Sequence, residues 1–144
     1  MTPGDERLAE ALRAEQAAIF AYGVIGAHLD GSTVELAQAA ELAHRTRRDA
    51  LLIRLSSKGA TPPPADPVYN LPYAVSDRAS ALKLAITVEE RCAAIWRLVL
   101  PDTNGDERKL GLDALVDCAT RSTRFRATAG TSPTTVAFPG KSAE

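Results

Sequence analysis

Five residues of this sequence have the types and spacing to do chemistry together: Glu15, Glu41, His44, Arg48 and Glu89. Glu41 and His44 form a Glu-x-x-His step, and residues three apart share one face of a helix. At about 100° per residue, Glu15 falls in the middle of the stripe Leu8, Leu12, Ile19, Tyr22, Gly26 and Leu29. Glu89 takes the same place among Leu82, Ile86, Ala93, Trp96 and Leu100. Glu41, His44 and Arg48 share a face with Ala37, Leu51 and Leu55. Three helical segments therefore each put an acid where a hydrophobe is expected.

A buried carboxylate without a partner is very costly. Two chemistries relieve the cost. One is a metal cation: carboxylate-bridged iron or manganese sites in bundles combine single glutamates with Glu-x-x-His steps. Glu15, Glu41, His44 and Glu89 supply that donor set, for redox chemistry toward oxygen or peroxide. The other is a network of side chains in which Arg48 and His44 neutralise the acids. The fourth helical segment does not complete a symmetric metal site. Its nearest imitation, Asp117-Cys118-Ala119-Thr120, has no imidazole. An apolar face of Leu112, Leu115, Val116, Ala119 and Ser122 puts Asp117 on the solvent side.

Four segments must position these residues. The punctuation predicts helices over 4–29, 34–57, 76–100 and 107–127. Ser32 or Thr33 is the expected cap of the second and Ser76 of the third, without a full capping box. Five prolines between Gly59 and Tyr73 keep the crossover 58–75 irregular, with YNLPY packing against the helices. The tail 128–144 is irregular, with Val136 and Phe138 available to pin it. Two short loops and one long one give an all-α fold: a ferritin-like four-helix bundle with one long crossover between helices 2 and 3. One domain over 1–144 is expected.

Composition narrows the classes. The chain is 45% hydrophobic and 5% aromatic, rich in alanine, with a net charge of -1. That balance gives no electrostatic case for nucleic acid. No apolar run approaches the roughly 20 residues that span a bilayer, and the N-terminus has no apolar signal core. A cytoplasmic protein with Cys92 and Cys118 as buried, reduced thiols is the expectation. Tyr22 and Trp96 read as core residues able to flank a site, and Glu90 reads as solvated. His28 sits near a helix C-terminus, and Arg45, Arg47, Arg121, Arg124 and Arg126 read as solvated or partner-facing.

Several stretches resemble a known family: AEQAAIFAYGVIGAHL, AHRTRRDALL, PVYNLPYAVSDRASALKLAITVEERCAAIWRLVL, TRSTRFRA and FPG. The chain resembles the ferritin-like superfamily in layout, and more closely an alanine-rich, ferritin-like actinobacterial family of unknown function. The resemblance implies a four-helix bundle associating as a homodimer, and it brings no established activity. The ferritin ligand pattern transfers only onto Glu15, Glu41, His44 and Glu89. The missing fourth-helix ligand and Arg48 depart from it. Two functions follow: a metal-free structural or interaction module with a polar core, or an iron or manganese protein using the four ligands.

Overall fold

The computed structural model describes residues 1–141 and holds four α-helices, with no strand among the described residues. α1 spans Pro3–Gly26, α2 Gly31–Ser57, α3 Arg78–Val99 and α4 Gly105–Ala129. A short 3₁₀ turn, Leu100–Asp102, links α3 to α4. α1 packs on α2 and on α3, and α3 packs on α4, while the α2 and α4 backbones stay farther apart and meet through side chains such as Arg47 and Asp117. Among the described residues, no helix is long and apolar enough to cross a membrane.

α1 and α3 begin at side chains that take up free backbone N–H groups, whereas Asp30 and Asn104 hold the cap positions of α2 and α4 without a side-chain cap bond. Thr2 and Asp5 cap α1 reciprocally, with proline in its first turn. Asp30 occupies the cap position of α2, so the helix starts ahead of the expected Ser32 or Thr33. Asp77, not Ser76, caps α3, and Ser80 closes a full capping box. That box is invisible to a Ser/Thr-x-x-Glu/Gln template because the roles are reversed: the acid comes first and the hydroxyl third. α4 ends at Gly130, whose φ of +71° gives the left-handed turn that satisfies the last carbonyls.

The connection 58–77 carries no helix but is fastened to the body. Gln16 donates to the Pro63 carbonyl at 3.2 Å, and the rings of Phe20 and Tyr69 meet at 5.6 Å. The Tyr73 and Thr87 hydroxyls lie 2.9 Å apart. Leu71, Tyr73 and Val75, from the YNLPY region, pack against the core. The tail is held differently from expectation. Val136 and Phe138 are exposed, while Arg126 donates to the Pro133 carbonyl at 3.1 Å. Gly140 lies so close to α3 that a Cβ there would stand 2.6 Å from the Ala93 carbonyl oxygen. Residues 142–144 of the expected tail lie outside the described residues.

The buried apolar residues form two clusters. Leu8, Leu12, Leu51, Leu55, Trp96 and Val99 anchor one. Tyr22, Ile25, Leu82, Leu84 and Phe125 anchor the other. On α2 and α3, His44 and Glu89 sit where one cluster gives way to the other. Small residues line the helix contacts. α4 turns Gly111, Ala114, Cys118, Ser122 and Phe125 inward, and Leu112 and Val116 are exposed. The expected face built on Leu112 and Val116 is therefore rotated away from the core. The α3–α4 contact is tight at Gly111, where an added Cβ would stand 3.1 Å from Leu100, and small side chains line it as far as Phe125, which fills the interior beyond them.

Candidate functional site

α1, α2 and α3 each bring one fully buried polar side chain to the interior: Glu15, His44 and Glu89. The His44 imidazole lies between the two carboxylates. Its Nδ1 meets Glu15 Oε2, and its Nε2 lies 3.0 Å from Glu89 Oε1. A carboxylate oxygen faces each ring nitrogen, an arrangement that favours the doubly protonated imidazole with both nitrogens donating. Burial pulls the His44 pKa down, but the bonds to Glu15 and Glu89 outweigh it and hold it up at about 10.

Further donors complete the cluster. Trp96 Nε1 donates to Glu15 Oε1 at 2.6 Å, and Arg47 Nη1 reaches the same oxygen at 3.1 Å. Tyr22 Oη donates to Glu89 Oε1 at 2.7 Å. The Tyr22 and His44 rings stack with centroids 5.6 Å apart. Burial pushes the Glu15 carboxyl up, but His44, Arg47 and Trp96 together hold it below the usual carboxylate range. Burial and the neighbouring Glu89 carboxylate push the Tyr22 hydroxyl well above its ordinary pKa, so it remains a proton donor. Two acids thus meet an imidazolium and a guanidinium. Glu89 Oε2 is the one oxygen of the trio that is buried without a hydrogen-bond partner.

Arg47 also ties the cluster to α4. Its Nη2 pairs with Asp117, which Arg121 grips from the other side at 3.2 Å. Its Nη1 lies 3.5 Å from Cys118 Sγ. Cys92 and Cys118 are both buried and free. A hydrogen bond to Cys118, burial and the Glu15 charge push the Cys92 thiol well above its ordinary pKa. Its Sγ, a Glu15 oxygen and a His44 nitrogen lie within 4.8 Å of one another.

The structure brings together Glu15, His44 and Glu89 but not Glu41 or Arg48. Glu41 turns to the outer face of α2, where Arg45 Nη2 holds it at 2.8 Å. Arg48 pairs with Asp49 at 2.9 Å. The cation in the core is Arg47. The reason is angular. Glu41 and Arg48 flank His44 on one side by about 40–60°, and Ala40 and Arg47 flank it on the other by the same amount. Spacing alone allows either flank to face inward. Thr33, Ala37, Ala40, His44, Arg47, Leu51 and Leu55 are the buried set. The signal for it was Ala40, a small residue suited to a tight helix contact and aligned with Ala37. Asp117, expected in solvent, is half-buried against Arg47 because α4 is rotated as described. Glu90, expected to be solvated, is paired with Arg126.

A chain with 34% identity adopts a similar fold: a conserved hypothetical protein, rv2844, from Mycobacterium tuberculosis, known from a crystal structure. The match has a TM-score of 0.85 and covers 89% of this chain and 98% of that one. None of the curated proteins matches the chain. The model of one family, a domain of unknown function (DUF4439), matches residues 7–143. With nearly the whole chain inside that match, the protein belongs to the DUF4439 family.

Proposed function

We propose that the chain is a single ferritin-like four-helix domain working as a structural or interaction module. Residues 58–77 are its crossover, and its Glu, His and Arg core is held by its own charges and not by a metal ion. One observation carries this reading: both nitrogens of His44 are taken by carboxylate oxygens. A metal-bound imidazole must present a lone pair, and here neither nitrogen has one free. Three further features support it. Glu41 is outside the cluster, Arg47 lies on Glu15, and α4 contributes Cys118, not a carboxylate, beside the acids. The residues present therefore do not fit a carboxylate-bridged iron or manganese centre. The test is the metal content of protein purified without chelator, then an anaerobic iron(II) and manganese(II) titration by calorimetry. The expected result is no stoichiometric binding. Stoichiometric binding that is lost in Glu15→Ala and His44→Ala would overturn the proposal.

The approach of Cys92 Sγ to Glu15 and His44 favours a second reading, a mixed Glu, His and Cys ion site. It requires His44 to give up one of the two protons that face Glu15 and Glu89. Zinc(II) uptake with proton release, abolished in Cys92→Ser, distinguishes it from the first.

For an interaction module the exposed apolar side chains matter. α2 presents Leu42 and Ile53, and α4 presents Leu112 and Val116. These support a homodimer. Sedimentation velocity should give a dimer that Ile53→Glu or Val116→Glu dissociates. A monomeric wild-type protein at micromolar concentration would refute it. Two neighbouring cysteines that remain free fit a reducing compartment, which supports a cytoplasmic location.

A further inference from the structure

A cavity of about 380 Å³ lies between α1, α3 and the connection 58–77, with Cys92 between it and the His44 cluster. Its volume falls within the range of small-molecule sites, roughly 300–1,000 Å³. Leu71, Leu84, Val88 and Ile95 line it with a series of alanines, and Cys92 touches it from the core side. One charged residue lines it, Arg91, and no acid does. Arg91 is exposed and, among the described residues, forms no ion pair.

We propose that this cavity binds a small amphiphile with an apolar body and one carboxylate head, of the medium-chain fatty acid class. The apolar lining takes the body by area burial. Arg91 at the cavity edge takes the head, because a guanidinium matches a carboxylate in both charge and fork geometry. A lone arginine with no second cation beside it suits a singly charged head better than a phosphate dianion. Size argues against a partner helix. One helical turn, about 5.4 Å tall and 10 Å across, displaces on the order of 400 Å³. The cavity would hold a single turn at most, and the connection closes its third side. The proposal is independent of the charge balance around His44 and goes beyond the structural role.

The test uses sodium decanoate below its micellar concentration, with decanol as the uncharged control. Calorimetry and amide chemical-shift mapping on the wild-type protein should show one saturable decanoate site with shifts at 69–72 and 84–95. Arg91→Glu should weaken decanoate by up to about fivefold, the upper end for one exposed charge pair, and leave decanol unchanged. Ala94→Leu fills the cavity from a half-buried position and should abolish binding of both with an unchanged melting temperature. If Ala94→Leu perturbs the fold, Ala17→Leu fills the same space from α1 and serves in its place. Absence of saturable decanoate binding overturns the proposal. So does equal decanoate affinity in wild type and Arg91→Glu, or unchanged binding in both filled variants. Dimer dissociation caused by the filled variants would show a second copy as the occupant, and would overturn it too.

Discussion

Two adjacent arginines on α2 have opposite fates. Arg47 is buried against Glu15 and Asp117, while Arg48 lies on the surface beside Asp49. Removing one partner of a buried pair leaves the other uncompensated, at a cost of about 3–5 kcal/mol. An exposed pair contributes less than about 1 kcal/mol. Arg47→Ala should therefore destabilise on the larger scale and Arg48→Ala on the smaller, as urea denaturation would measure. Equal effects would contradict the placement. His44 gives a pH dependence whose sign is fixed. Its pKa in the folded protein, about 10, lies above the ordinary 6.5. The stabilisation it brings is fully present below pH 6.5 and lost as pH rises through 10. Glu15 is shifted the other way, so its contribution is present above its ordinary 4.5 and lost as pH falls through its lowered value. Melting temperature should thus be greatest between these limits, and His44→Gln should flatten the alkaline decline. Glu15, His44 and Glu89 were legible in the sequence because each interrupts an apolar stripe. Arg47 was not, because its angular alternative satisfied the same spacing.

At the scale of the helices, the punctuation of the sequence was a good guide to where elements lie and a poor one to how they are turned. Prolines and glycines separate the four helices plainly. The face of α4 was misread because Leu112 and Val116 look like core residues, yet the face that turns inward carries Gly111, Ala114, Cys118, Ser122 and Phe125. Helix spacing also separates α1's glycines into two kinds. Gly4 sits under the turn after α3, where an added Cβ would stand 2.6 Å from the Asp102 carbonyl oxygen. Gly23 has nothing within 4 Å of that position. Gly23→Ala should stabilise by about 0.5–1 kcal/mol through helix propensity. Gly4→Ala should destabilise despite the same gain, because a backbone carbonyl must shift. Thermal melts of the two variants should move in opposite directions.

Across the whole molecule, α1 and α2 form one neighbouring pair and α3 and α4 another, and the α2 and α4 backbones stay farther apart. What joins the pairs is the α1 and α3 contact and the polar cluster: His44 of α2 bonds Glu89 of α3, Trp96 of α3 bonds Glu15 of α1, and Arg47 of α2 pairs with Asp117 of α4. The length of the irregular connection 58–77 and the two short loops were readable from proline and glycine placement. The closeness of α1 to α3 was not, because it depends on alanines whose neighbours only the folded chain defines. The consequence concerns observation of folding. Trp96 is the single tryptophan of the chain, fully buried, with its indole N–H committed to a carboxylate on another helix. Its emission reports the docking of the two hairpins and not the winding of any one helix. In a stopped-flow refolding experiment, helical ellipticity that returns before the tryptophan signal would time hairpin assembly apart from helix formation. Signals that return together would mean that no helix is stable until the hairpins meet.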